Sequence, residues 1–380
     1  MSKHFLSFCA IGKNEIINIE RCLNSVKPYV DEMIVVDTGS DDGTPDIALQ
    51  HGAKVSSFHW CDDFSAARNF AISQASGEWI LTLDADEELA VTSDDFRQTL
   101  AAPTQFLVYS VELINIPSDG TQGGRLQRLF KNSPEIRYEG RLHESLVYRG
   151  QKIGGSLRGD LDSIKIWHYG YSNPELTLKK TTERNIPLLE RMLQEEGLSL
   201  GNLYCLASMC ERVGDAEKAQ EYYAQLFDSL LPYLIDGNQP EDLLWVPNIL
   251  HFFGSKVLQQ QDCETARTIC QRGLEWCPTF PPLNYLAGEF LINLGFPLGA
   301  ITYFETCIQL GRDSSYYKRA IFDNGYVTTY PAYQLGCAYL KLQRPQEAAA
   351  AFEMALSFDA DFTPAKQSLE MAQQFLASQN

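Results

Sequence analysis

The 380-residue sequence is short of several features that define other classes of protein. Its 31 lysine and arginine residues are outnumbered by 49 acidic ones, giving a formal net charge of -18 at pH 7. This shortage of positive charge argues against binding to nucleic acid or to an anionic membrane surface. No run approaches the roughly 18 apolar residues of a transmembrane segment. Lys3 and His4 lead into an apolar run too short for a signal peptide, so we expect neither feature.

The cysteine and glycine patterns count against two further kinds of site. None of the ten cysteines belongs to a Cys-x-x-Cys pair, and most fall on predicted apolar helix faces. Such thiols indicate reduced, buried side chains in a cytoplasmic protein better than a disulfide framework or a zinc site. No glycine-rich, basic phosphate loop follows the first predicted strand, which counts against a nucleotidyltransferase.

The remaining composition is that of an ordinary globular protein with more than one domain. Hydrophobic residues make up 44% of the chain and charged residues 21%. A chain of this length has room for two or three domains, each with its own core. The residue pattern changes near Pro174, because strand and helix patterns alternate before it and only helical patterns follow it. We therefore predict an α/β domain followed by an all-α region.

Residues 79–88 are the centre of the first half. Their sequence, WILTLDADEE, passes from a short apolar run to four acidic residues within five positions. It predicts a buried strand that delivers carboxylates to its C-terminal end, the edge at which open parallel sheets bind ligands. Clustered carboxylates repel one another unless a cation lies between them, and hard divalent ions prefer oxygen ligands. We interpret the cluster as a metal site for a phosphate-bearing substrate; the alternative is a solvated acidic turn.

Strands and helices alternate before this segment. Apolar, β-prone runs predict strands at 5–11, 32–36 and 53–58, and helical patterns predict helices at 15–27, from 45 onward and at 65–75. The order is that of a doubly wound sheet with right-handed crossovers. Polar side chains then lie at or beside successive strand ends, an alignment that random turns would not produce: Asn14, Glu15, Asp37, Arg68, Asp84 and Asp86.

Four motifs carry a resemblance to a known family. They are SFCAIGKNE at 7–15, IVVDTGSDDGT at 34–44, DFSAARN at 63–69 and ILTLDADE at 80–87. In this order and at this spacing they resemble family 2 glycosyltransferases. The resemblance implies the α/β, Rossmann-like GT-A fold, a nucleotide-sugar donor that usually carries uridine diphosphate, and a divalent metal, Mn²⁺ or Mg²⁺.

The resemblance also implies roles for single residues. It places the base and ribose of the donor at Ala10, Ile11, Asn14, Glu15 and Asp37. Arg68 is implied near the uracil or diphosphate, and Asp84 at the ribose or sugar. Asp86 is implied as the ligand of a metal that bridges the two phosphates.

The acceptor side of such a domain needs a base. In inverting transfer a carboxylate takes the acceptor's proton as its oxygen or sulfur attacks the anomeric carbon. The resemblance implies a His-Glu pair at this point of the chain, so we predict Glu144 as the base. The alternative is a structural salt bridge from Glu144 to one of four arginines: Arg125, Arg128, Arg137 or Arg141.

A histidine closes the predicted domain. His168, within IKIWHYG at 164–170, resembles the third protein ligand of the metal in several GT-A enzymes. His143 is the competing ligand. A capping or core role for His168 is the structural alternative.

The last 180 residues show an internal repeat. Residues 329–362 match tetratricopeptide positions at Leu335, Gly336, Tyr339, Ala348, Phe352 and Ala355. Alignment on the small residue at position twenty adds three earlier repeats, at Ala219, Ala266 and Ala300. The middle interval is one repeat long, and the longer outer intervals indicate insertions near 234–246 and 315–328. Residues 364–377 are expected to form a solvating cap helix.

The repeat array is expected to bind or orient a partner, and the alternative is a dimerisation or purely stabilising module. Four tyrosines in or beside the second insertion either line an acceptor groove or pack internally: Tyr316, Tyr317, Tyr326 and Tyr330. We place the predicted boundaries at 1–172 for the GT-A domain, 173–199 for a connecting helix and 200–380 for the repeats.

Together these features predict a metal-dependent, inverting glycosyltransferase that acts on a UDP-sugar donor. Bacterial peptide S- and O-glycosyltransferases share this two-part resemblance, so a peptide or protein acceptor is the leading hypothesis. A polysaccharide or small-molecule acceptor stays open. The competing class is a non-catalytic scaffold that only binds a sugar nucleotide.

Overall fold

The computed structural model describes residues 4–93, 95–116, 124–170, 172–241 and 243–378. Its chain divides into two compact units, and the boundary between them falls after Gly197. Unit 1, up to Gly197, is α/β, and unit 2, from Leu198, is all-helical. The predicted fold class is therefore confirmed.

Unit 1 contains eleven strands among its described residues. They are β1 (Leu6–Gly12), β2 (Glu32–Asp37), β3 (Lys54–Ser57), β4 (Trp79–Thr82), β5 (Glu87–Val91), β6 (Val108–Asn115), β7 (Arg125–Lys131), β8 (Ile136–Glu139), β9 (Ser145–Tyr148), β10 (Gln151–Lys152) and β11 (Arg158–His168). Its helices are α1 (Ile19–Val26), α2 (Thr44–Gln50), α3 (Phe64–Ser73), α4 (Phe96–Ala101), α5 (Pro174–Lys180) and α6 (Ile186–Glu195). A 3₁₀ turn covers Gly155–Leu157, and a π-helical turn, Thr181–Asn185, joins α5 to α6.

Eight of the described strands form one mixed sheet in the order β3-β2-β1-β4-β7-β6-β11-β5. β1 pairs parallel with β2 and β4, and β2 pairs parallel with β3, so their C-terminal ends meet at one edge. β7 runs antiparallel to β4 and β6. The doubly wound pattern predicted for the first strands therefore holds from β1 to β4. Beyond them the pairing is mixed, because β11 runs parallel to β6 and antiparallel to β5.

Two core clusters cover the two faces of this sheet. Alternate residues of β1 point to opposite clusters, with Phe8 and Ala10 in one and Cys9 and Ile11 in the other. β4 is buried along its whole length. Strands covered on both faces read as continuous apolar runs, which is why β1, β2 and β4 were predictable from sequence.

The structure differs from the sequence analysis at two places in unit 1, and at the first of them the prediction was wrong. The helix predicted for 15–27 begins only at Ile19, because residues 15–18 form a turn in which the Asn18 and Ile19 amides donate to the Glu15 carbonyl. The second difference concerns residues 87–91, of which Glu87 and Glu88 were interpreted only as acidic residues at the end of a strand: they form β5 and pair antiparallel with β11.

Unit 2 consists of helical hairpins. Its described helices are α7 (Leu200–Arg212), α8 (Ala216–Asp236), α9 (Val246–Gln259), α10 (Cys263–Trp276), α11 (Pro281–Asn293), α12 (Pro297–Arg312), α13 (Thr329–Lys341), α14 (Pro345–Phe358) and α15 (Thr363–Ser378), with a 3₁₀ turn at Asn324–Val327. Four hairpins pair α7 with α8, α9 with α10, α11 with α12 and α13 with α14, and α15 packs on α14.

Small residues set the spacing within the hairpins. The four alanines aligned from sequence all lie buried in the second helix of a hairpin: Ala219, Ala266, Ala300 and Ala348. Gly288 of α11 faces α12, and a Cβ placed there would lie 2.5 Å from Cε1 of Phe304, a fully buried ring. The Phe304 ring therefore occupies the space that a side chain at position 288 would need. None of the helices in the described ranges is both long and apolar enough to cross a membrane.

We predict that Gly288→Ala destabilises unit 2. The added methyl group would overlap the Phe304 ring, and overpacking of this kind costs about 1–3 kcal/mol, more than the roughly 1 kcal/mol that alanine gains over glycine in a helix. The matched control is Gly299→Ala in α12, where the new Cβ would lie 3.3 Å from the flexible Leu291 side chain. Thermal unfolding followed by circular dichroism should show a lower midpoint for Gly288→Ala only. Equal midpoints for the two variants would contradict the close packing.

Candidate active site

The ends of β1, β2 and β4 and the start of β5 carry a cluster of carboxylates in unit 1. Five acidic side chains take part in ion pairs there, in two sets that share no side chain: Asp84, Glu87 and Glu144 in one, and Glu15 and Asp86 in the other. The basic side chains in these pairs are Arg68, Arg128 and Lys180. The structure thus brings together predicted residues from four separate segments of the chain.

Arg68 lies at the centre of the cluster. It projects from α3, whose first turn is capped by the Asp63 side chain accepting from the Ala66 amide. Its Nη2 donates to Asp84 Oδ1 at 2.6 Å, and its Nε donates to Glu144 Oε1. The side chain is buried, and its guanidinium lies 5.5 Å from the centre of the Tyr138 ring. Arg68 therefore joins two of the predicted site carboxylates directly.

Arg128 of β7 forms a second bridge. Its Nη2 lies 2.9 Å from Asp84 Oδ2 and 2.5 Å from Glu87 Oε1. Glu87 in turn accepts from the Asp84 amide at 2.8 Å. Guanidinium groups thus bind both carboxylate oxygens of Asp84 and one of Glu87. These three contacts fix the turn between β4 and β5.

Burial and these contacts shift the pKa values of neighbouring carboxyl groups in opposite directions. Burial would raise the pKa of Asp84, but Arg68 and Arg128 hold it well below its usual range. Burial raises the pKa of Glu87 to about 8, although Arg128 acts in the opposite direction. Burial and then the neighbouring Asp84 raise the pKa of Asp86. Asp84 is therefore the permanent anion of the cluster.

Asp86 and His168 face each other across a narrow gap. His168 Nε2 lies 3.8 Å from Asp86 Oδ1, and the other ring nitrogen, Nδ1, lies 2.9 Å from Asn115 Oδ1. The Tyr169 amide donates to the Asp86 carbonyl at 2.9 Å, which holds the end of β11 against the turn after β4. The two residues predicted as metal ligands are therefore neighbours in the fold.

Gly170 keeps this gap open. A Cβ at this position would lie 2.5 Å from His168 Nε2 and 2.9 Å from Asp86 Oδ2. A carboxylate and an imidazole whose second nitrogen is held by an oxygen acceptor are a donor pair that divalent metals accept. Within the described ranges, no three His, Cys, Asp or Glu side chains form a complete metal site. The pair fits a metal whose remaining ligands come from a substrate or water.

Lys180 is a site residue that the sequence analysis missed. Its Nζ lies 2.7 Å from Glu15 Oε1 and 4.0 Å from Asp86 Oδ2. It belongs to α5, within the segment predicted only as a connecting helix, and the π-helical turn follows it directly. Such turns often occur at functional sites. The two lysines at the end of α5 were the only sequence signal, and it did not point to a partner.

The loops after β1 and β2 are tied to each other. Asn14, in a left-handed conformation with φ 57°, accepts from the Asp41 amide, and its own amide donates to Ser40 Oγ. The Asp37 carboxylate accepts from the amides of Gly39 and Ser40. These contacts give the predicted base and ribose residues a common, ordered loop surface.

Ala10 and Ile11 are placed differently from the loop residues. Both lie within β1, and their side chains are buried in the two core clusters. The pairing of β1 with β4 ends at Cys9, while its pairing with β2 continues to Gly12. Because both side chains are buried in the core, only the backbone of these two residues could contact a ligand at the strand ends.

Glu144 has an arginine partner, but none of the four that the sequence analysis named as alternatives. It pairs with Arg68, while Arg137 pairs with Glu139 and Arg141 with Glu195. Its neighbour His143 has a left-handed φ of 54°. The predicted base is thus part of the same buried network as Asp84.

Comparisons with known proteins agree with this architecture. Residues 7–138 match the family described as glycosyl transferase family 2, and residues 332–362 match the tetratricopeptide repeat. A TPR repeat-containing protein of Synechococcus elongatus is 39% identical over 225 residues, which cover 58% of this chain and 56% of that protein. The SPbeta prophage-derived glycosyltransferase SunS of Bacillus subtilis is 31% identical over 189 residues, covering 48% of this chain and 44% of SunS.

These matches define the class of both halves. The N-terminal half contains a family 2 glycosyltransferase domain and the C-terminal half contains a tetratricopeptide repeat, as the motifs predicted. The matches span about half the length of the curated relatives. A solved glucosyl-3-phosphoglycerate synthase from Mycobacterium tuberculosis is 24% identical and covers 30% of this chain and 44% of its own, with a TM-score of 0.25. The assignment therefore rests on the sequence matches.

We predict that Arg128→Met strongly destabilises unit 1. Arg128 contacts both the ionised Asp84 and the fully buried Glu87, so its removal takes a guanidinium partner from each, and breaking a buried ion pair costs about 3–5 kcal/mol. The double variant Arg128→Met with Glu87→Gln should recover part of the loss. The control, Arg149→Ala, breaks an exposed pair with Glu135 and should cost about 0–1 kcal/mol. Urea unfolding monitored by tryptophan fluorescence makes the comparison, and equal losses in Arg128→Met and Arg149→Ala would contradict the network's role.

Proposed function

We propose that this protein is a metal-dependent, inverting glycosyltransferase that takes a sugar from a nucleotide-sugar donor, with UDP-sugars as the first candidates. The observation that carries the proposal is the Asp86–His168 pair, which Gly170 keeps open beside the carboxylate network at the ends of β1 and β4. Within a family 2 glycosyltransferase domain, this is the place where a sheet-edge ligand is expected.

The contacts of the site leave Asp86 as the carboxylate best placed for a metal. The other four carboxylates of the cluster each have an arginine or lysine nitrogen within 2.9 Å, whereas the contacts of Asp86 with cationic or titratable nitrogen atoms are longer, at 3.8 and 4.0 Å. An anionic diphosphate that approaches the Asp86 carboxylate would be repelled unless a cation lay between them. Asp86 and His168 would hold Mn²⁺ or Mg²⁺, which supplies positive charge to the diphosphate leaving group when bound. Lys180 is close enough to add a second positive charge on the same side.

The transfer step assigns separate tasks to the chain's residues. The oxygen or sulfur of the acceptor forms a bond to the anomeric carbon, and Glu144 takes the proton that this hydroxyl or thiol loses. The bond from that carbon to the diphosphate oxygen breaks, and its electron pair leaves with the nucleoside diphosphate. Arg68 holds Glu144 beside Asp84 before the reaction, so it positions the base relative to the donor. The loops carrying Asn14 and Asp37 would bind the base and ribose.

The repeats suggest the kind of acceptor. A tetratricopeptide array offers an extended surface of stacked helices that suits a polypeptide, so we propose a peptide or protein acceptor. A second copy of the chain is a further candidate partner for this surface. Seven of the ten cysteines are buried in the fold, where thiols act as small core side chains, and we propose a reducing compartment such as the cytoplasm.

We expect Glu144→Gln to lower the transfer rate by about 10²- to 10⁴-fold while the affinity for the donor stays within threefold. The amide keeps the shape of the side chain but cannot accept the proton. Release of nucleoside diphosphate and formation of glycosylated product should be measured together, over a panel of nucleotide sugars with peptide, glycan and small-molecule acceptors. Thermal unfolding of the variant checks that the Arg68 contact does not control folding.

Glu139→Gln is the matched control for this experiment. It changes a carboxylate in the same part of the chain that pairs at the surface with Arg137. Its transfer rate should equal that of the wild type. Full activity in Glu144→Gln would remove Glu144 from the mechanism. Donor binding without transfer to any acceptor class would favour a nucleotide-sugar-binding scaffold.

A further inference from the structure

A cavity of about 390 Å³ opens on the helices of unit 2, and none of the residues assigned to sugar transfer lines it. It is lined by the first helices of three successive hairpins, α9, α11 and α13, and by the 3₁₀ turn at 324–327. The residues that matter for its chemistry are His251, Ser255, Tyr285, Glu289, Tyr326 and Gln334. Its volume lies within the roughly 300–1,000 Å³ of known ligand sites.

Glu289 is the acidic group of this cavity. Its side chain is half-buried, and this burial raises its pKa. Its partners are neutral, because Tyr285 is hydrogen-bonded to it and Gln334 Nε2 lies 3.4 Å from Oε1. Within the described ranges it has no ion pair with lysine, arginine or histidine. Because a half-buried carboxylate is only partly solvated and lacks a cationic partner here, a positive ligand would be favoured at this position.

The rest of the lining supplies no competing positive charge. Burial lowers the pKa of His251 to about 4, so its imidazole is neutral at pH 7. Burial raises the pKa of Tyr285 and of Tyr326, so both phenols stay protonated. Lys256 lines the adjoining cavity, but its Nζ lies over the rings of Phe252 and Tyr223, at 4.3 and 4.6 Å from their centres. The carboxylate at Glu289 is therefore not neutralised from either side.

Aromatic rings surround the carboxylate. The rings of Tyr285 and Tyr326 have centres 5.2 Å apart and stand nearly perpendicular, at 81°. His251 packs against Tyr326 in the same way, and its Nε2 lies 3.2 Å from the tyrosine hydroxyl. Aromatic faces attract cations and also cover the methylene groups that carry them. Rings next to a carboxylate form a site suited to a long basic side chain.

We propose that this cavity binds a lysine or arginine side chain of a polypeptide partner. The cationic head group pairs with Glu289, and its methylene groups pack against Tyr285 and Tyr326. The side-chain amides and hydroxyl of Gln334, Gln259, Asn293 and Ser255 offer both donors and acceptors for the partner's backbone. A free amine would use the carboxylate but leave these polar groups without a ligand, so the site selects a polypeptide.

The inference concerns binding by unit 2 and stands without sugar transfer. If the partner is the acceptor, then acceptors carry a basic residue near the modified position, and this part alone rests on the proposed function. The sequence analysis considered four tyrosines as possible groove residues but did not identify this cavity. Of the four considered from sequence, Tyr326 lines the cavity, whereas Tyr330 bonds to Asp323 and Tyr317 to the Leu243 carbonyl.

The test uses the full-length protein and capped pentapeptides Gly-Ser-X-Ser-Gly, with X as lysine, arginine, norleucine or glutamate. Dissociation constants are measured by saturation-transfer difference NMR titration. We expect the lysine or arginine peptide to bind at least tenfold more tightly than the norleucine peptide. We also expect n-butylamine, which carries the charge without the backbone, to bind at least tenfold more weakly than the lysine peptide.

Glu289→Gln should abolish the preference for the basic peptides, whereas Glu305→Gln, an exposed glutamate of the neighbouring α12, should retain it. Circular dichroism melting curves check that both variants are folded. The proposal is overturned if the basic peptides bind no better than norleucine, if Glu289→Gln keeps the preference, or if butylamine binds as tightly as the peptide. None of these results depends on donor binding or transfer, so a failure here is distinct from a failure of the proposed enzyme activity.

Discussion

Two buried guanidinium groups hold the candidate active site together. Arg68 and Arg128 each bind one oxygen of Asp84, and each reaches a second carboxylate, Glu144 or Glu87. Without them the turn after β4 would place acidic groups side by side where water screens their repulsion only in part. Because Asp84, Glu87 and Glu144 each have a guanidinium partner, the neighbouring Asp86, whose contacts with nitrogen atoms are longer, is the carboxylate best placed for an external cation.

The strand ends were predictable from sequence and the ion pairs were not. Apolar runs interrupted by acidic or glycine-rich tips identify β1, β2 and β4, because strands covered on both faces have a simple local pattern. Glu87 illustrates the limit. From sequence it was only one of four acidic residues at the end of a strand, yet it begins β5, and its carboxylate binds both the Asp84 amide and Arg128, 41 residues away. Lys180 was missed for the same reason, since its partner Glu15 lies 165 residues earlier.

The repeat region shows the same division between local and tertiary information. Small residues at fixed spacing located the hairpins, because only a residue such as Gly288 or Ala300 permits two helices to approach this closely. The Glu289 cavity depends on residues from three hairpins, and no spacing within one repeat predicts it. Shared architecture is therefore readable from sequence, whereas the binding chemistry depends on contacts between distant segments.

The central claim is that Asp86 and His168 bind a nucleotide through a metal. Isothermal titration calorimetry with UDP, with and without Mn²⁺, tests it most directly on four proteins: wild type, Asp86→Asn, Gly170→Ala and the surface control Asp95→Asn. The account predicts binding at least tenfold tighter with Mn²⁺ in the wild type and control, and loss of that gain in Asp86→Asn and Gly170→Ala. Binding that is unaffected by metal and by both site variants would contradict it, as would the absence of binding under every condition.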